Sequence, residues 1–100
     1  MGLIYSGKLW MIQRFISGFS NNSFLVTCKR TNESIIIDTP ANPVDLLNSS
    51  KNFLIVGIFI THGHSDHLEG FKDVYDRYQV PVGIGNNDIN SLPLKPKEYI

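Results

Sequence analysis

A mixed fold of α+β or α/β class, with one β-sheet and helices on one of its faces, is what this chain predicts. Three observations carry that expectation. The first half alternates apolar and polar residues with period two, as partly covered strands do. Residues 53–60 form a β-branched, aromatic-rich run broken only by Gly57, a composition that fits a strand buried on both faces. A stretch of helical period then leads to a second short apolar run. Strand, crossover helix and strand make a βαβ unit.

The elements follow in order. Leu9, Met11, Gln13 and Phe15 alternate with Lys8, Trp10, Ile12 and Arg14, which predicts one strand with two partly covered faces. Residues 18–22 read as a polar loop. Residues 24–29 form a second strand, Arg30-Thr31-Asn32-Glu33 a hairpin turn, and residues 34–37 a third strand that pairs back. Asp38-Thr39-Pro40 stops it. A short helix is expected over residues 43–50, with Pro43 in its first turn and Val44, Leu46 and Leu47 facing inward. The run over residues 53–60 is the next strand. Leu68, Phe71, Val74, Tyr75 and Tyr78 recur at helical spacing opposite Lys72, Asp73, Asp76 and Arg77, which predicts an amphipathic helix over residues 68–78. Residues 80–84 form a last strand, expected to run parallel to 53–60. After Gly85 the chain turns polar and shows no clear period.

Composition bounds the function. One hundred residues fit one small domain, residues 1–100. A hydrophobic content of 42% with 18% charged residues is globular in character. Nine basic and nine acidic residues cancel, which argues against a broad nucleic-acid or anionic-membrane surface. Cys28 is the only cysteine, so no intramolecular disulfide forms and no oxidising compartment is required; it reads as a small core or sheet residue. The N-terminus lacks the pattern of a signal peptide. The longest apolar run falls far short of the roughly 20 residues of a membrane helix. A soluble, cytoplasmic protein is the expectation.

The chemistry is concentrated in Thr61-His62-Gly63-His64-Ser65-Asp66-His67-Leu68-Glu69-Gly70, which holds all three histidines of the chain. Imidazole and carboxylate at this density suit a borderline divalent metal such as zinc, and equally iron or manganese. The motif follows the carboxyl end of a buried strand, where open α/β sheets place ligands. His62 and His64, two apart in extended backbone, point the same way and can converge on one metal. Asp66 and His67 lie at the turn into the helix and can face a second metal, about 3.5–4 Å from the first. Asp66 also has a purely structural reading, as a helix cap with Glu69 at capping-box spacing. Gly63 reads as a turn residue and Asp38, by spacing alone, as a turn former.

These residues resemble the THxHxDH motif of the metallo-β-lactamase superfamily, which includes glyoxalase II-type thioesterases. Asn22-Ser23-Phe24-Leu25-Val26 looks like an early strand of that fold. Ile36-Ile37-Asp38-Thr39 is similar to its "iDtG" element, with Pro40 in place of the glycine. Gly70 matches the glycine after the DH pair, and Val80-Pro81-Val82 the strand after the first motif helix. The resemblance covers roughly residues 23–85. It implies that His62 and His64 hold one metal and Asp66 and His67 the other, with Asp66 also taking the catalytic part. Asp38 is implied to position the metal-binding loop by hydrogen bonding. The implied activity is attack of metal-bound hydroxide on an ester, thioester, amide or phosphoester of a small-molecule substrate, with zinc, two ions in a complete site, as cofactor.

The resemblance also implies that the chain is the amino-terminal half of an αββα sandwich. In the family the later half supplies another histidine for the first metal, a bridging aspartate and a final histidine for the second. No histidine follows His67, and Asp73, Asp76 and Asp88 stand too early to fill those places. The inner sheet face, including Phe24, Val26, Ile36 and Phe59, then needs a cover. The partner expected there is a carboxyl-terminal half or a second copy in a homo-oligomer. The alternative function is a non-catalytic, truncated half-fold that serves as an assembly or metal-binding module.

Overall fold

The computed structural model describes residues 2–17, 21–63 and 68–100. In chain order these form β1 (Gly2–Ser6), β2 (Trp10–Ser17), β3 (Asn21–Cys28), β4 (Glu33–Ile37), α1 (Val44–Ser50), β5 (Leu54–Ile60), α2 (Phe71–Tyr78), β6 (Val82–Ile84) and a 3-10 helix over Asn86–Ser91. The six strands make one sheet in strictly sequential order. β1 to β4 run antiparallel, and β4, β5 and β6 run parallel. The mixed sheet and its βαβ unit are as the sequence predicts. Both crossovers, through α1 and through α2, advance the sheet in the same direction, so one handedness of crossover puts both helices on one face.

That face holds the core. Phe15, Leu25, Ile36, Ile58, Ile60 and Val82 point from the sheet at Leu46 of α1, Leu68, and Phe71, Val74 and Tyr75 of α2, all buried. Phe71 and Tyr75, one turn apart, stack with ring centroids 5.6 Å apart. The polar groups on this face are paired, as burial demands. Ser34 donates its hydroxyl to Thr27 Oγ1 at 2.8 Å. Ser50, at the end of α1, hydrogen-bonds the Tyr78 hydroxyl at the end of α2 and donates to the Leu47 carbonyl at 3.0 Å. Tyr75 accepts the Lys97 N–H at 2.8 Å, which ties the C-terminal segment to α2.

The other face is not covered by any described element. Trp10 is 50% exposed and Val56 39%. With Val26, Cys28, Thr31 and Ile35 they line an open groove of about 290 Å³. Hydrogen bonds from the Thr31 side chain, then from the backbone of Thr31 and Arg30, hold the Cys28 thiol below its usual pKa. Cys28 is therefore a partly exposed sheet residue and not a core one.

Four details differ from the sequence expectation. A strand, β1, precedes the first predicted one. It is an exposed edge strand with a bulge between Leu3 and Tyr5, and the bulge breaks the period-two signal. Ile36 lies on the helix-covered face, fully buried, and not on the open face with Phe24 and Val26. Val44 is exposed: Leu46 and Ser50 face the sheet, and Val44 lies about 200° around the helix from Leu46. β5 is not buried along both faces: Leu54 and Val56 are exposed on the second, where only Gly57, beside Ile100, is buried and Phe59 is half-buried. A bulge at Val56, opposite the Ser34–Ile35 step, resets the alternation so that Ile55, Ile58 and Ile60 all turn toward the helices.

α2 ends on Gln79 in the left-handed region, φ 48°, where its N–H bonds the Tyr75 carbonyl at 2.7 Å. Glycine is the residue favoured there. Gln79→Gly is therefore expected to stabilise the protein by about 0.5–1 kcal/mol, read as a rise of a few degrees in Tm.

Candidate metal centre

The site is assembled where β4 and β5 end side by side. Parallel pairing sets Ile37 opposite Phe59. The next residue, Asp38, donates its N–H to the Phe59 carbonyl at 2.8 Å. Its φ is 64°, a left-handed conformation that aspartate tolerates better than most side chains. This turn sends the carboxylate across to the residue after β5. Asp38 Oδ1 accepts the Thr61 N–H at 2.8 Å, and Oδ2 accepts the Thr61 hydroxyl at 2.5 Å. Ser23 of β3 donates its hydroxyl to the Asp38 carbonyl at 2.8 Å. The buried Asp38 is thus tied to three strands, and both its oxygens are spent on the first residue of the motif.

The chain of contacts continues to a ring. Thr61 Oγ1 lies 3.1 Å from His62 Nδ1. The threonine hydroxyl has one proton, and Asp38 takes it. The ring therefore donates from Nδ1 to the threonine oxygen. An imidazole whose tautomer is set by a hydrogen bond to its other nitrogen is the usual form of a metal ligand. His62 fits a borderline divalent ion on that ground. His64, Asp66 and His67 lie outside the described residues. Among the described residues no group of three or more His, Cys, Asp or Glu side chains is gathered around one point.

Close packing fixes the two glycines of the motif. Gly70 donates its N–H to the Thr39 carbonyl at 2.7 Å, and a Cβ built at Gly70 would stand 2.3 Å from the Pro40 carbonyl oxygen. The glycine after the DH pair is a contact requirement between the start of α2 and the loop after β4. Gly70 itself is the N-cap of α2, with no side-chain capping bond. Gly63 has the same kind of requirement. Its neighbour is Asp88, whose Oδ1, Cβ and Cγ lie 2.6–2.8 Å from where a Cβ would be. Gly63 is therefore more than a turn residue. Asp88, set aside by sequence position, stands against the motif because β6 delivers the 3-10 helix to the same sheet edge. An open groove of about 460 Å³, lined by Gly63, Leu68, Glu69, Lys72, Ser91 and Pro93, adjoins it.

Sequence reasoning found Asp38 only through the family resemblance, since by spacing it was a turn residue. It did not separate the anchoring part of Thr61 and Ser23 from the rest of their segments.

Comparison with known proteins agrees with this geometry. The family model of the metallo-beta-lactamase superfamily matches residues 16–99. An uncharacterized protein of Aquifex aeolicus is 37% identical over 60 residues, which is 60% of this chain and 28% of that protein. A hydroxyacylglutathione hydrolase of Roseobacter denitrificans is 30% identical over 74 residues, 73% of this chain and 29% of the relative. The chain thus spans under a third of the length of these relatives. Among solved structures, a metallo-beta-lactamase from Staphylococcus aureus superposes with a TM-score of 0.73 at 20% identity, over 93% of this chain and 29% of the other. The chemotaxis sensor ODP superposes with a TM-score of 0.74 at 13% identity, over 91% and 40%. The sheet, the helices on one face and the anchored motif at the end of β5 are a partial metallo-beta-lactamase fold, and the chain belongs to the metallo-beta-lactamase superfamily.

Proposed function

We propose that this chain carries the amino-terminal half of a metal-dependent hydrolase centre that cleaves an ester, thioester, amide or phosphoester in a small-molecule substrate. The observation that carries the proposal is the line Asp38–Thr61–His62, which spends a buried carboxylate on orienting one imidazole through its Nδ1 edge. His62 and His64 would hold one ion, and Asp66 and His67 a second, with zinc the ion that best suits imidazole and carboxylate together. A divalent ion there supplies an activated water nucleophile and a Lewis acid for the substrate oxygen. This chain's own residues orient the imidazole, keep Thr61 in register with β5, and offer the groove beside Gly63 and Lys72 as room for substrate. The hydrolase among the relatives supports the reaction class.

The uncovered sheet face supports a second component of the proposal. A partner, either a carboxyl-terminal half or a second copy of this chain, covers it and supplies the remaining ligands. The same exposed face favours the other reading, an assembly or metal-holding module without catalysis. No helix among the described residues is long and apolar enough to cross a membrane.

The experiment measures zinc content and hydrolysis of a generic thioester and a phosphodiester at several protein concentrations, with sizing in parallel. Metal and activity that rise together with dimer support a shared site. His64→Ala is expected to reduce zinc affinity at least tenfold, and activity with it. A metal-free, inactive monomer, or unchanged zinc stoichiometry in His64→Ala, would remove the enzymatic reading for this chain.

A further inference from the structure

We propose that the end of the sheet opposite the histidine motif is a docking surface for an anionic lipid membrane, which takes Leu9 and Trp10 among its headgroups and meets a row of exposed cations with its charge. This inference is independent of the metal reading and stands if that reading fails.

Nine basic and nine acidic residues cancel over the whole chain, but the fold separates them. Asp38 follows β4 beside the motif, Asp73 lies in the first turn of α2, and Asp88 stands against Gly63. Both helices run away from the motif and end together, where Ser50 meets the Tyr78 hydroxyl. At that far end, roughly 20 Å away along the seven residues of β5, three connections are laced side by side. The Lys29 N–H bonds the Leu9 carbonyl at 2.8 Å and its ammonium donates to the Ser6 hydroxyl, which joins the β1–β2 turn to the β3–β4 turn. The Leu54 N–H bonds the Asn32 carbonyl at 3.0 Å, and Asn32 Nδ2 donates to the Asn52 carbonyl at 3.1 Å. These bonds join the second turn to the loop after α1. Lys8, Lys29, Arg30 and Lys51 stand exposed along the row, and Glu33 is the acidic residue among them. Leu9 is 57% exposed, Trp10 50% and Leu54 58%, all in the same row.

Charge and apolar surface together choose the partner. Cations alone suit any polyanion. A nucleic acid, however, offers two leucines only a charged backbone to lie against. A lipid interface accepts every group in the row. Headgroup anions attract the lysines and the arginine, tryptophan sits at headgroup level, and leucine reaches the acyl boundary.

The test titrates the full chain with vesicles of phosphatidylcholine and phosphatidylserine in equal parts, and with vesicles of phosphatidylcholine alone. Cosedimentation and tryptophan emission are read together; Trp10 is the only tryptophan, so its emission reports this end of the sheet. The anionic vesicles should bind the chain with a blue shift, and salt should weaken the binding. Lys8→Gln combined with Arg30→Gln should weaken it about 25-fold, near fivefold per cation, with Tm unchanged. Leu9→Ser should reduce binding and keep its salt dependence. Lys72→Gln, which removes a charge at the motif end, should bind like the unaltered chain. Equal partition onto the two kinds of vesicle, or full anionic binding by the doubly substituted chain, would overturn the proposal. So would binding of a mixed-sequence oligonucleotide or of poly-glutamate in place of the anionic vesicles.

Discussion

Asp38→Ala is expected to destabilise the protein by about 3 kcal/mol and to loosen the motif at the same time. The carboxylate is buried at 4% exposure and accepts two hydrogen bonds from Thr61. Bonds to a charged acceptor contribute roughly 1.5–3 kcal/mol each, and the Thr61 donors would lose their partner inside the protein. Alanine also tolerates the left-handed φ of 64° less well than aspartate. For a domain of this size the loss corresponds to a fall in Tm of roughly 15 °C. Zinc affinity should fall more than tenfold, because Thr61 no longer fixes the His62 tautomer. Asp38→Asn separates the two effects. It keeps shape and backbone tolerance but offers one acceptor oxygen for two donors, so about half of the loss seen for Asp38→Ala is expected. Melting of the metal-free variants and chelator competition give both readings, and a wild-type Tm for Asp38→Ala would refute the anchoring role.

Gly70→Ala is expected to cost about 2–3 kcal/mol, near the upper end for overpacking. The added methyl would sit 2.3 Å from the Pro40 carbonyl oxygen. That atom is backbone, so no side-chain rotation relieves the contact. The start of α2 would have to retreat, which stretches the 2.7 Å bond from the Gly70 N–H to Thr39 and unseats Leu68 and Phe71. The backbone of Gly70, at φ −97° and ψ 4°, is open to alanine, so the loss belongs to the contact alone. Gly57→Ala is the control. Its nearest neighbours would be ordinary contacts at 3.5 Å, and its Tm should change little. Equal Tm values for the two variants would refute the contact argument.

How legible the fold was depended on whether each element's signal was local. The β3–β4 hairpin was legible because alternation and a polar turn lie within one short stretch. So was α2, whose buried face repeats at helical spacing from Phe71 to Tyr78. The bulges at Leu3–Tyr5 and at Val56 were not legible, since one extra residue reverses the parity of everything after it. That is how β1 was passed over; β5 looked buried on both faces because its run is apolar throughout. Ile36 was assigned to the wrong face because Ile35, Ile36 and Ile37 are chemically identical, and only pairing with Leu25 decides which points at the helices. In the site, His62 could be read from composition, but its tautomer could not. That depends on a threonine proton and on a carboxylate 23 residues away in sequence. Asp88 was invisible for the same reason.

The sequential strand order also bears on how this molecule comes into being. Each strand pairs with the one made just before it, so no strand must wait for a partner made later. As the chain leaves the ribosome, the meander of β1 to β4 can form first and present Asp38 at its growing edge. Docking of β5 then brings Thr61 to that carboxylate before α2 and β6 exist. Thr61 is thus docked onto a finished anchor, and a chain stalled before β6 would already hold the His62 ring against Thr61 while lacking the contact of Asp88 on Gly63.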